Sequence, residues 1–152
     1  MFEEMDTRRN SDTPSKADYP IEDYHSIREK YKSKPVYKIF DFTSKRKASS
    51  AVISLDSKGH RKRVYVKGSA EVLIDRCTRF LSIECERIVK TPQIHDEMRS
   101  IISKFNKKSL RTLAIAFRDL PVNTDHVKKE EDGDEIPDVE KKDLTLISIV
   151  AI

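Results

Sequence analysis

Lys67-Gly68-Ser69-Ala70-Glu71 joins a cation, a glycine and a polar turn where a strand-like run, Val64-Tyr65-Val66, gives way to a helical one, Val72-Leu73-Ile74. Twenty-five residues upstream stands Phe42-Thr43-Ser44-Lys45-Arg46-Lys47, and downstream stands Leu110-Arg111-Thr112. The chemistry such residues can do is recognition of a nucleotide. A base stacks on an aromatic face, a contact worth ~1–3 kcal/mol. Cations and a helix N-terminus suit phosphate. Taken singly, each residue has a plainer fate: Phe42 as a core residue, Lys45 to Lys47 as a solvated turn, Arg111 in an ion pair, Glu71 serving the helix dipole.

These residues need elements to position them. Val36 to Phe42, Ser50 to Leu55 and Arg61 to Lys67 read as strands, and Asp56-Ser57-Lys58-Gly59 as the turn of a hairpin. Three strands in up-down-up order bring Phe42, the loop 43–48 and Lys67 to one edge of a sheet. Ser69 reads as an N-cap. Lys62, on the same strand as Lys67 but away from that edge, is expected to be dispensable for binding. Thr91-Pro92 starts a second helix, whose apolar stripe of Ile94, Met98, Ile101, Ile102 and Phe105 reads as core. Leu110 to Phe117 and Leu144 to Ile152 are further strands. Strands and helices alternate without a βαβ rhythm, which predicts an α+β fold on a mostly antiparallel sheet flanked by helices.

Residues 1–18 are polar and read as a disordered lead-in. A helix with Ile21, Tyr24, Ile27 and Tyr31 follows Pro20 and stops before Pro35. The chain has 152 residues, 37% hydrophobic and 37% charged, enough for one modest core. Its net charge of +4 is unevenly spread. From His25 to Lys67 thirteen Lys/Arg face three Asp/Glu, a net of +10, whereas from Asp119 to Asp143 four Lys face ten acids, a net of −6. The second stretch, 119–142, reads as an acidic surface loop. No apolar run reaches the ~20 residues of a spanning helix. Cys77 and Cys85 read as reduced thiols, and the four histidines are scattered, so neither a disulfide nor a metal site is expected.

In this order and at these distances, the motifs resemble the nucleotide-binding (N) domain of P-type cation-transporting ATPases, closest to calcium pumps of the plasma-membrane type. The resemblance covers residues 19–152 and includes the closing strand at 143–152. It implies that Phe42 stacks on adenine, with Lys47 as the cation beside it. It implies that Lys67 lies at the base of the adenine pocket, that Gly68 permits close backbone approach, and that Arg111 reaches the phosphates. The ligand it implies is ATP, with Mg2+ required in the parent pump but not bound by this chain alone. Some positions depart from the family pattern: Ala48-Ser49 replaces a Ser-Met pair, Ser109 a glycine, and Ser148 to Ala151 a Gly-Val-Gly strand.

The family forms an aspartyl phosphate within Asp-Lys-Thr-Gly-Thr, which these 152 residues do not contain. The resemblance therefore implies no catalytic residue here. It implies a fragment of a calcium-transporting pump, partial on the N-terminal side of the domain and lacking a transmembrane segment. Its partners are then the phosphorylation and transmembrane domains of the parent pump, at the cytosolic face of a membrane, with no nucleic acid. The rival expectation is a small basic module that binds RNA or an acidic membrane surface, or an N domain that has lost binding.

Overall fold

The computed structural model describes residues 26, 29, 36–56, 58–122, 124, 127 and 135–152. Chain contacts divide it into Met1–Ser33 and Lys34–Ile152. In the first unit Ser26 and Glu29 are described, both helical and exposed. The expected lead-in and most of the expected helix after Pro20 lie outside the described residues.

In the second unit, β-branched and aromatic residues alternate with polar ones, and strands form where that period-2 pattern buries one face. β1 (Val36–Thr43), β2 (Ala48–Ser54) and β3 (Lys62–Ser69) run antiparallel in sequence order. α1 (Ala70–Arg76) leads directly into β4 (Cys77–Leu81), and β5 (Arg87–Val89) hairpins back upon it. α2 (Pro92–Lys107), β6 (Thr112–Leu120), α3 (Asp138–Lys141) and β7 (Leu144–Ala151) complete the order. Among the described residues the strands form one sheet, ordered β1-β2-β3-β6-β7-β4-β5. Only the β4–β7 pairing is parallel, so the expected α+β architecture holds.

One face of this sheet is covered by the helices, and among the described residues those of the other face are mostly half-buried or exposed. On the covered side lie Phe40, Val52, Val64, Val66, Ala114 and Ala116, all buried, together with Leu73 and Ile74 of α1. α1 packs on β3, β6 and β7, α2 on α1 and β6, and α3 on β3. Along β3 the alternation is plain: Lys62, Val64, Val66 and Gly68 are buried, while Arg63, Tyr65, Lys67 and Ser69 face outward.

Several local expectations needed correction. Ser69 occupies the N-cap position but makes no side-chain capping bond. It is still part of β3, and its N–H donates to the Lys47 carbonyl at 2.9 Å. Thr91 does cap α2, accepting from the Ile94 N–H at 3.3 Å. Of the α2 stripe only Ile102 is buried, and Ile101 is 45% exposed, because the helix lies on α1 and the edge of β6 rather than within the core. Lys62 is buried, its ammonium 4.6 Å from the Tyr37 ring centroid, so it is no solvated control for Lys67. The end of the presumed surface loop folds as α3 and buries Val139 and Glu140. β4 and β5 were not anticipated, since β4 follows α1 without a break and buries only Cys77.

Candidate functional site

Phe42 owes its position to an irregularity in β1. Phe40 pairs with Ser50 and Thr43 with Ala48, so Asp41 and Phe42 together oppose the single residue Ser49. An extra residue of this kind bends a strand and re-aims its side chains. Phe42 is 62% exposed, and a core role for it is excluded. From this point a transverse row runs across the sheet: Ser49 pairs with Lys67, Lys67 with Ile115, and Ile115 with Ser148. A cleft of about 320 Å³ opens along the row, lined on its outer face by Ile39, Asp41, Ser49, Tyr65, Lys67 and Ile115.

Gly68 is needed for space. It pairs with Ala48 and Ala114, and a Cβ placed on it would lie 2.4 Å from the Lys47 carbonyl oxygen and 2.9 Å from Ala48 Cα. Only hydrogen at this position lets the start of β2 close onto β3 and lets Ser69 N–H reach Lys47. Lys47 itself has left-handed backbone, φ 52°, and its N–H donates to the Thr43 carbonyl at 2.8 Å. Phe42, Lys47, Lys67 and Gly68 thus converge on one edge, as the strand order predicts.

Arg111 stands apart from this group. Its backbone is locked to Ile152 by reciprocal hydrogen bonds of 2.8 and 2.9 Å, just before β6 begins and four residues from Ile115. Four residues of strand span about 13 Å. Arg111 lines a separate cavity of about 440 Å³ with Ser69, Glu71, Asn106 and Ser109. Glu71 accepts from the Asn106 side-chain amide at 3.0 Å, so it ties α1 to α2. Among the described residues, the side chains of Lys47, Lys67 and Arg111 are exposed and enter no ion pair.

Arg46 departs from expectation. Its side chain is fully buried, 3.3 Å from Glu140 Oε2, and its guanidinium donates to the Asp41 carbonyl at 2.5 Å. It is no phosphate ligand at the edge.

Further along the outer face the cations are neutralised. Asp119 takes a 2.5 Å bond from each of Arg63 and Arg87, and both guanidiniums lie over Phe117, at 4.5 and 4.9 Å. The Arg63 bond, foremost, and that of Arg87 outweigh burial and hold the Asp119 carboxyl below its ordinary range. Burial pushes the Cys77 thiol up to about 12, while Cys85 is exposed, and both are free thiols.

The cleft-lining residues Ile39, Asp41, Ser49, Tyr65 and Ile115 were not singled out from sequence. For Tyr65 and Ile115 the signal was present, since Tyr65 shares the outward phase of β3 with Lys67 and Ile115 pairs with Lys67.

The family model described as "P-type ATPase, cytoplasmic domain N" matches residues 5–152. The chain is 33% identical over 132 residues to plasma membrane calcium-transporting ATPase 4 of Bos taurus, which covers 86% of this chain and 10% of that protein. It is 34% identical over 131 residues to plasma membrane calcium-transporting ATPase 3 of Homo sapiens, with the same coverage. Human plasma membrane calcium-transporting ATPase 1 is 28% identical over 131 residues. The chain spans about a tenth of the length of these curated relatives.

Proposed function

This chain belongs to the family of P-type ATPase cytoplasmic N domains, and on that premise we propose that it binds ATP across the outer face of its sheet. Adenine stacks on Phe42 and enters the cleft beside Lys67, Lys47 flanks the base, and the phosphates extend along the sheet toward Arg111. The separation of about 13 Å between the Ile115 and Arg111 positions suits an extended ligand better than a compact one. The carrying observation is the transverse row that starts at exposed Phe42 and runs through Ser49 and Lys67 to Ile115. An exposed aromatic ring at the end of this row, with the cleft and the exposed Lys67 along it, supports the reading.

The parent protein is a calcium pump in this reading. The chain contributes binding energy used for positioning, delivering the γ-phosphate to an aspartate carried elsewhere in the pump. In the parent pump Mg2+ would screen the charge of the phosphates, and the residues named here would hold the base and orient the chain of phosphates.

The basic-module reading loses support from the same geometry. Of the cations in 25–67, Arg46 and Lys62 are inside the protein and Arg63 is paired with Asp119. The effective positive surface is therefore smaller than the composition suggests.

An NMR titration with ATP tests the proposal. Shifts are expected at residues 42–47, 67–70 and 111. Phe42→Ala is expected to lower affinity by about 1–3 kcal/mol, and Lys58→Ala, exposed at the far end of the β2–β3 hairpin, to leave it unchanged. Shifts spread evenly over the cationic surface, collapsing steeply with salt, would instead favour polyanion binding.

A further inference from the structure

We propose that Arg46 and Glu140 are positioning residues for the nucleotide: a buried ion cluster anchors the 43–47 turn to α3 and so holds Phe42 and Lys47 at the sheet edge beside Gly68. The inference rests on the ATP-binding reading above.

Arg46 is flanked in sequence by Lys45 and Lys47, which are exposed, yet its own side chain is fully buried. Arginine is rarely so buried unless it is paired. Its partner, Glu140, is equally buried and sits 3.5 Å from Arg76 on α1. Glu140 also accepts the Ser50 hydroxyl proton at 2.5 Å. Arg76 donates back to the Arg46 carbonyl at 3.3 Å, and Arg46 reaches the Asp41 carbonyl. The cluster thus joins β1, the turn, β2, α1 and α3 through charged side chains of fixed direction.

A buried ion cluster is a poor source of net stability, because desolvation offsets most of its Coulombic attraction. What it supplies is direction. The segment it fixes needs that, since Lys47 is a non-glycine residue held at φ 52°, a conformation of low intrinsic stability. The Lys47 carbonyl must also stay within reach of Ser69 N–H and against Gly68. Arg46 ties down both ends of the turn: its side chain holds Asp41, and its carbonyl is held by Arg76. The nucleotide edge is thereby anchored to α3, the short helix that precedes β7.

The test uses the whole chain and the variant Arg46→Met. Glu140 keeps Arg76 in this variant, and folding is expected to be retained. Glu140→Gln would remove the carboxylate that Arg46 and Arg76 share and is the poorer choice. Without nucleotide, hydrogen exchange is expected to show the Lys47 and Ser69 amides losing protection at least about tenfold relative to the β6 ladder. ATP affinity is expected to fall on the order of tenfold, and Arg46→Lys to recover part of both effects. Unchanged protection at Lys47 and Ser69 overturns the proposal. A uniform loss over all amides also overturns it, because Arg46 would then contribute stability alone. If the unmodified chain fails to bind ATP while the two amides still lose protection, the functional reading falls and the anchoring role stands.

Discussion

Gly68→Ala is the sharpest test of how the site is built. The added methyl would lie 2.4 Å from the Lys47 carbonyl oxygen and 2.9 Å from both Ala48 Cα and Ala48 Cβ. Two of these atoms belong to backbone, so no rotamer change relieves the clash and the start of β2 must move off β3. Overpacking of this kind costs about 1–3 kcal/mol. The Ser69–Lys47 hydrogen bond, 2.9 Å in length, is lost in the same movement at about 0.5–1.5 kcal/mol. Replacing glycine in a strand returns roughly 0.5–1 kcal/mol of backbone entropy. The net is a destabilisation centred near about 2 kcal/mol, within about 0.5–4, or at its centre a Tm lower by about 4–8 °C for a domain of this size. ATP binding should weaken as well, since Lys47 moves with β2. Gly59→Ala is the control. Nothing lies nearer than 3.8 Å to its Cβ, so its cost comes only from φ +70°, about 1–2 kcal/mol, with ATP affinity retained. Thermal melts and isothermal titration of both variants make the comparison. Equal melting of Gly68→Ala and the parent chain would refute the close-approach argument. Equal loss of ATP binding in the two glycine variants would refute its link to the site.

Ser109 follows the C-terminus of α2 with φ 59°, the left-handed position that glycine fills without strain, so Ser109→Gly should raise stability by about 1 kcal/mol in a urea melt. Iodoacetamide on the native chain should modify exposed Cys85 and spare Cys77, whose buried thiol titrates near 12; that shift cuts its thiolate on the order of a thousandfold, and mass spectrometry after unfolding should find Cys77 newly reactive. Asp119 is held below its unfolded pKa by Arg63 and Arg87. Its contribution is therefore complete above the ordinary carboxylate range and disappears as pH falls through the depressed folded value. Asp119→Asn should flatten the acid limb of stability below about pH 4; an unaltered limb would show that the Arg63–Asp119–Arg87 cluster contributes nothing.

Much of the fold was legible because its determinants are local. Alternation along Lys62 to Ser69 reflects the pleat, which sends successive side chains to opposite faces wherever a strand forms. Thr91-Pro92 marked the start of α2 because an unsatisfied helix N–H and a fixed φ need nothing outside the segment. The turn at Asp56–Gly59 is equally self-contained, with Gly59 at φ +70°. Phe42, Lys47, Lys67 and Gly68 could be brought to one edge from strand order alone, since a chain that reverses twice returns to the same side of the sheet. What sequence could not decide is which charges are inside. Arg46 and Lys45 look alike in the linear pattern, yet Arg46 is buried because Glu140, over ninety residues away, arrives with α3 to meet it. The 119–142 stretch read as solvated on charge alone, because the partners of Glu140 lie on other strands and helices. The parallel β4–β7 pairing and the distance of Arg111 from the cleft also depend on remote register. Local periodicity is set by backbone geometry, which every segment carries with it; the burial of an ion is set by a partner that only the folded chain brings near.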